Sequence, residues 1–356
     1  MERMMKKWVC FVCAFCLCFA LAVPTWADDG SPLASAASIG TSGTVKGTIA
    51  ESNSANYYKY TVPSKTSVEL KVTYTSHIGY SEFNIYDAAG NKVYNSSLVA
   101  DDDTNQATEK HSFYLNPGVY YIGIGFADQG NYSFSYNTVE LDNFDVAYDN
   151  TIASAHDLPL TTTVNGVISK VSDDEIDIYK LEVKDPGIVK YNLKFYMNTL
   201  KFELLDETGD KIESNFYIWN DNLKQGVESF EYALESGTYY VAVLSGGDDG
   251  KYSFKQAFTE IGSTEKEPND TMEQAQQINL GDKVSGLIGV KGDTDFYKVT
   301  IPSKRNVTFS VNSKISSMYL YLYDENGEQI KRDFIWWNDN TKSATLKKIY
   351  KLSAGI

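Results

Sequence analysis

Residues 265 to 297 concentrate the side chains best suited to ionic chemistry. Glu265, Glu267, Asn269 and Asp270 place four oxygen-bearing groups in six positions, and Asp293 and Asp295 follow just ahead of Tyr297. Like charges at this density repel unless water or a cation lies between them. A set of about six to eight hard oxygens is what Ca²⁺ selects. A solvated acidic linker is the competing reading of such a run. Recurrence of the pattern, in degraded form, earlier in the chain favours the cation.

That recurrence is one of a whole unit. Tyr-Asp-Ala-Ala-Gly at 86–90 returns as Leu-Asp-Glu-Thr-Gly at 205–209 and as Tyr-Asp-Glu-Asn-Gly at 323–327. Pro-Gly-Val-Tyr-Tyr at 117–121 returns as Ser-Gly-Thr-Tyr-Tyr at 236–240, and Gly-Asn-Tyr-Ser-Phe at 130–134 as Gly-Lys-Tyr-Ser-Phe at 250–254. Gly47, Gly166 and Gly286 each open a Gly-x-Ile, and Tyr58, Tyr179 and Tyr297 hold one equivalent place. So many matches in one order define a triplicated domain.

The elements that must position the carboxylates read as strands. Val68, Leu70, Val72 and Tyr74 alternate with polar residues, as do Val189, Tyr191, Leu193 and Phe195, and then Val307, Phe309 and Val311. A period of two buries one face and wets the other. Each Asp-x-x-Gly supplies a turn-closing Asp and a glycine for positive φ. Many short strands with turns between them, in repeats of about 120 residues, predict an all-β chain of β-sandwiches. Helix is minor: Met272, Ala275 and Ile278 predict at most a turn or two over 271–278.

Residues 1–27 read as a signal peptide. Arg3, Lys6 and Lys7 precede an apolar run from Val9 to Val23, and Thr25-Trp26-Ala27 suits cleavage before Asp28. All four cysteines lie inside that segment, so residues 28–356 have no thiol chemistry and no disulfide. The whole chain carries −15, and removing the signal leaves −17. Such a charge argues against nucleic acid and anionic membranes as partners and suits a secreted protein that binds cations.

The motif Glu-Pro-Asn-Asp-Thr … Gly-x-Ile … Gly-Asp-x-Asp-x-Tyr resembles the bacterial pre-peptidase C-terminal domain, a family that includes the collagen-binding domains of clostridial collagenases. The resemblance covers residues 28–139, 140–258 and 259–356 as three tandem copies, sharpest in the third. It implies jelly-roll-like sandwiches, Ca²⁺ between the leading segment and the Asp-x-Asp loop, and an accessory role beside secreted hydrolases. By that resemblance Glu265, Glu267, Asn269, Asp270, Asp293 and Asp295 are the metal ligands of the third copy. Asp145, Asp149, Asn150, Glu175 and Asp177 form a weaker second site, with Ala147 removing one oxygen. The first copy has Gly30, Ser31, Ser54 and Asn56 in those places and is expected to hold no such ion.

Aromatic residues offer a second kind of site. Phe216–Asn222 matches Phe334–Asn340, so Trp219 and Trp337 are equivalent, and Tyr319 and Tyr321 share one strand face. All four are candidate ligand-binding residues, with core capping or domain packing as the alternative. Catalysis finds no support: His77, His111 and His156 are non-equivalent, and no nucleophile or metalloprotease motif occurs. Asp101-Asp102-Asp103 lacks the glycine and closing glutamate of an EF-hand loop.

The sequence therefore predicts a secreted, non-catalytic, calcium-stabilised array that binds an extracellular protein or polysaccharide. The alternative is an accessory or targeting part of a secreted peptidase system, acting beside its catalytic partner. By comparison with its siblings the third copy is expected to lack its last two strands, as if truncated from a larger protein.

Overall fold

The computed structural model describes residues 32–63, 66–125, 128–141, 149–290 and 293–355. The expected signal peptide and Asp145 lie outside them. Two compact units are present. One takes in the described residues before 66 with Leu70–Ser112 and Pro117–Val139; the other comprises Thr66–Glu69, Phe113–Asn116 and the described residues from Glu140 onward.

The first repeat runs β1 (Ala37–Ser38), β2 (Ser42–Ile49), β3 (Ala55–Val62), β4 (Val68–Ser76), β5 (Tyr80–Tyr86), β6 (Lys92–Val99), β7 (Ala107–Leu115), β8 (Gly118–Gly125) and β9 (Gly130–Glu140). The second repeats the order: β10 (His156–Asp157), β11 (Thr162–Ile168), β12 (Ile176–Val183), β13 (Gly187–Phe195), β14 (Thr199–Leu205), β15 (Lys211–Ile218), β16 (Gly226–Leu234), β17 (Gly237–Ser245) and β18 (Gly250–Glu260). Their sheets correspond strand for strand, β1-β3-β8-β5-β6 with β10-β12-β17-β14-β15 and β2-β9-β4-β7 with β11-β18-β13-β16.

Alternation explains how the sheets close on each other. On β13, Val189, Tyr191, Leu193 and Phe195 are each at 0 % exposure, while Lys190, Asn192 and Lys194 between them face solvent. They meet Leu200, Phe202 and Leu204 of β14 and Phe254 of β18, also fully buried. Burying one such side chain contributes about 1.5–3 kcal/mol. The Asp-x-x-Gly turns form as expected: Gly90, Gly209 and Gly327 have φ of 86°, 89° and 81°, and each N–H donates to the carbonyl of the preceding Asp.

The third repeat runs β19 (Gln276–Ile278), β20 (Tyr297–Val299), β21 (Arg305–Ser313), β22 (Ser317–Tyr323), β23 (Gln329–Asn338) and β24 (Ser343–Leu352). Its last four strands form one sheet, β21-β24-β23-β22, and β19 pairs in parallel with β20. Of the turn or two expected over 271–278, one forms, closed by Thr271 and Gln274, and Gln276 continues as strand. Pairing of Gln276, Gln277 and Ile278 with Tyr297, Lys298 and Val299 outweighs a weak helical period. Among the described residues no helix is long and apolar enough to cross a membrane.

Candidate metal centres

The β19–β20 pair fixes the acidic leading segment of the third repeat against the Asp-x-Asp loop. Gln276 clips the segment from one side, its Oε1 accepting from Lys266 N at 2.8 Å and its Nε2 donating to Thr264 O at 3.3 Å. Asn269 clips it from the other and is completely buried. Its carbonyl accepts from Phe296 N at 2.9 Å, and its Nδ2 donates to Glu265 Oε1 at 3.2 Å. Asn269 thus braces the segment.

The carboxylates of the third repeat converge in two overlapping groups. Glu267, Asp293 and Asp295 each bring an oxygen within 4.8 Å of the others, and so do Glu265, Glu267 and a residue absent from the prediction, Glu235. Tyr297 donates its hydroxyl to Glu265 Oε1 at 2.5 Å, and Gly289 N donates to Asp293. Asp270 lies at the exposed margin, its Oδ1 3.5 Å from Thr294 N. Leu287 N and Asn269 N donate to Glu265 Oε2 and Glu267 Oε2, each at 2.8 Å. Beside these donors, Asp295 Oδ1 and both oxygens of Glu235 are shut off from solvent with no hydrogen-bond partner.

The electrostatics follow. Burial, reinforced by the charges of Glu265, Asp293, Glu267 and Asp270, pushes Glu235 up to about 7. Asp295 is raised by burial and then by its contact with Glu265, and Glu267 and Asp293 are raised by burial and their neighbours' charge. Carboxylates so placed favour either protons or a cation. Orphaned oxygens with no cationic side chain among the grouped residues fit a hard divalent ion.

The second repeat gathers a smaller and deeper group: Asp149, Asp174 and Asp177, at 2 %, 1 % and 0 % exposure, with ligand atoms within 4.8 Å of one another. Tyr252 donates to Asp177 Oδ2 at 2.5 Å and shares a second 2.5 Å bond with Tyr179. Asn116 Nδ2 donates to Asp174 Oδ2 at 2.6 Å, leaving Oδ1 buried without a partner, and burial pushes Asp174 up to about 6. Asn150 lies beside the group, its Nδ2 donating to Asp173 O at 3.1 Å.

The acids that the structure brings together here differ from the predicted set. Glu175 points to solvent, and Asp174 takes its place. The stretch from Gly166 to Asp177 is two residues longer than that from Gly286 to Asp295. The extra length forms a 3₁₀ turn, Lys170–Ser172, ended by Asp173 at φ 56°, which turns Asp174 inward and Glu175 out. The Asp173-Asp174-Glu175 run was the visible signal, but positional offset picked out Glu175 rather than the acid that the loop turns inward. Glu235 gave none, since it sits in a hairpin turn of the second repeat, distant in sequence from the cluster it joins.

In the first repeat the tyrosine pair survives without the charge. Tyr58 and Tyr132 hydroxyls lie 2.5 Å apart, and Asn56 Nδ2 donates to Tyr132 OH at 2.8 Å. Asn56 stands where the second repeat has Asp177.

The aromatic candidates divide between two faces. Tyr319 and Tyr321, at 46 % and 40 % exposure, line the outer face of β22, opposite Phe334 and Arg332 of β23. The Arg332 guanidinium lies 4.1 Å from the Tyr319 ring centre and 5.7 Å from that of Tyr321. Trp336, unpredicted, extends this face at 75 % exposure and packs edge-on against Phe334. Trp337 follows it in the strand and so lies on the opposite face, half-buried, its Nε1 donating to Asp339 Oδ1 at 3.1 Å. Trp219 is likewise half-buried, just beyond β15.

No family model matches the chain. It is 28 % identical over 168 residues to Collagenase ColQ1 of Bacillus cereus (strain Q1), a match covering 45 % of this chain and 16 % of the collagenase. The chain thus spans about a sixth of that relative's length. Among solved structures, the pre-peptidase C-terminal domain of a collagenase from Bacillus anthracis is 22 % identical, over 30 % of this chain and 94 % of that one, with a TM-score of 0.23. The PBSX exported protein XepA is 10 % identical over 62 % of this chain and 87 % of its own, also with a TM-score of 0.23.

Proposed function

We propose that this chain, whose repeats resemble collagenase-related domains of the pre-peptidase C-terminal kind, is a secreted, non-catalytic module that binds an extracellular protein and is stabilised by Ca²⁺. The observation that carries the binding reading is the outer face of β22 and β23. There Tyr319, Tyr321, Phe334 and Trp336 form a continuous aromatic surface with Arg332 laid across it. The corresponding face of the second repeat is built from Lys201, Glu203, Ser214, Phe216 and Ile218, and that of the first from Glu82, Asn84, Asn95, Ser97 and Val99, so only the third is aromatic throughout. Exposed tyrosine and tryptophan with arginine supply rigid contact area and hydrogen bonding at low entropic cost. An extended, hydroxyl- and carbonyl-rich protein strand such as collagen suits that chemistry; a polysaccharide is the other candidate.

Calcium supports the module rather than the chemistry of a reaction. The orphaned oxygens of Asp295 and Glu235, in two groups that share Glu267, support this role, since an ion beside either would satisfy it. Extracellular modules bind Ca²⁺ at about 10⁻⁴–10⁻³ M. The test is binding of residues 28–356 to immobilised collagen, gelatin and cell-wall glycan, with Ca²⁺ and with EDTA. Tyr321→Ala and Trp336→Ala are expected to abolish capture while leaving the melting curve unchanged; undiminished capture by both variants would remove this face as the site.

A second reading is that the chain is an accessory or targeting part of a secreted peptidase system. The limited share of the collagenase matched by this chain favours it. Co-purification of a peptidase with the tagged protein from culture medium would distinguish it from a free-standing binder.

A further inference from the structure

We infer that the cation of the third repeat is clasped from outside that repeat, by Glu235 of the second, so that the ion acts as a joint between them; this rests on the calcium reading above. Glu235 occupies the Leu-Glu-Ser-Gly turn between β16 and β17. It brings one oxygen within 4.8 Å of ligand atoms of Glu265 and Glu267, and both its oxygens are sealed from solvent without a partner. A glutamate adds a negative charge to an already negative cluster only at a cost, unless something positive stands between them.

Two further features point the same way. The third repeat reaches the turn with a residue that leaves it room: a Cβ on Gly289 would stand 3.4 Å from Glu235 Cγ and 3.2 Å from Asp293 Oδ2. Val290, next in the chain, packs against the core of the second repeat. The loop carrying Asp293 is therefore seated against the turn that offers Glu235.

The same position is used once more within this compact unit. Asn116 occupies the equivalent Leu-Asn-Pro-Gly turn and reaches the equivalent group of carboxylates, donating to Asp174 Oδ2 at 2.6 Å. Its backbone N–H also donates to Ser172 Oγ at 3.0 Å. A turn residue thus meets a carboxylate loop in both places. Where it is an amide, it donates its own hydrogen to the acid. Where it is a carboxylate, it has no hydrogen to give, and a metal ion supplies the positive charge instead.

The experiment uses residues 28–356, which have no cysteine, with Glu207→Cys and Glu325→Cys introduced as spin-label sites on exposed turns of the second and third repeats. Calorimetric titration with Ca²⁺ alone and label–label distance distributions are measured for this protein and for its Glu235→Gln variant. The expected result is that Ca²⁺ narrows the distribution in the parent. In the variant, affinity falls about tenfold, as loss of a charged ligand predicts, and the distribution stays broad. The neutral, isosteric glutamine should raise the metal-free Tm, which separates loss of a ligand from a folding defect. Equal affinity and equal narrowing in the variant would overturn the joint while leaving a calcium site in the third repeat. Absence of Ca²⁺ binding by the parent would overturn the calcium reading, and the joint with it.

Discussion

The second and third repeats handle the same electrostatic problem with different surroundings. In the second, Asp149, Asp174 and Asp177 lie beneath a closed core, with hydroxyl and amide donors from Tyr252 and Asn116 aimed at two of them. In the third, the carboxylates are more numerous and more open, and Glu235 is added without a donor. The core beside them differs too: Val189, Tyr191 and Leu193 are fully buried, whereas Val307 keeps 8 % exposure and Phe309 and Val311 are half-buried. The second repeat keeps three acids within a closed core; the third gathers more acids in the open and adds Glu235, whose two oxygens have no donor, so an ion would have more to do there. The first repeat marks the neutral end of the series, with Asn56 in the acid's place.

The largest difference between the repeats should appear in their cores. Phe254 is fully buried against Tyr179, Tyr191 and Phe202. Phe254→Ala should cost about 3–5 kcal/mol. Phe309→Ala, at a half-buried site, should cost less than half as much. Equal losses in denaturant titrations of the two variants would erase the contrast.

Calcium should act next, and unequally. An ion bound only by the folded state, at ten to a hundred times its Kd, raises stability by about 1.4–2.7 kcal/mol. The transition reporting on the third repeat should move up in Tm on adding Ca²⁺ after EDTA, and Asp295→Ala or Glu267→Ala should remove most of that shift. A melting curve indifferent to both additions would end the metal assignment for this repeat.

Converting the second repeat to the first repeat's chemistry is a gentler test. Asp177→Asn should preserve the tyrosine pair, as Asn56 does, and raise metal-free stability by about 1 kcal/mol through loss of a buried charge. The reverse change, Asn56→Asp, should lower it. A destabilised Asp177→Asn protein would mean that the charge itself holds the repeat together.

pH should give the most diagnostic effect. Asp174 and Glu235 bind protons more tightly when folded than their ordinary values of 3.8 and 4.5 allow, to about 6 and about 7. Raised acids contribute stability that is complete below the unfolded values and disappears as pH rises through the folded ones. Without metal, Tm should therefore decline between about pH 4 and pH 7, and saturating Ca²⁺ should flatten or reverse that slope. A metal-free Tm that rises steadily across this range would contradict the placement of both groups.

Much of this was legible in the chain because repetition and alternation are local signals. The strands around Val68–Tyr74 and Val189–Phe195 declared their faces, and the Asp-x-x-Gly turns declared their glycines. Glu265, Glu267, Asp293 and Asp295 were recoverable because a resemblance fixed their spacing. Glu175 was chosen for the second site by offset, whereas a two-residue difference in loop length turns Asp174 inward and leaves Glu175 exposed. Glu235 was invisible because its role depends on how one repeat's turn meets another repeat's loop. Trp337 was grouped with Tyr319 and Tyr321 on residue type, although strand parity places it on the other face.

The pairing of β2 with β9, Ser42 opposite Asn137 and Ile49 opposite Gly130, has a consequence in time. β11 and β18 join Thr162 to Gln256 in the same way. Nearly the first strand of each of these repeats waits for its last, so a large loop must close before the sheet is complete. Chains dominated by such distant pairings fold in about milliseconds to seconds rather than microseconds. While a repeat is still emerging from a pore or ribosome, its β2 or β11 has no partner. Each repeat therefore stays uncommitted through most of its own length, then closes when the final strand arrives.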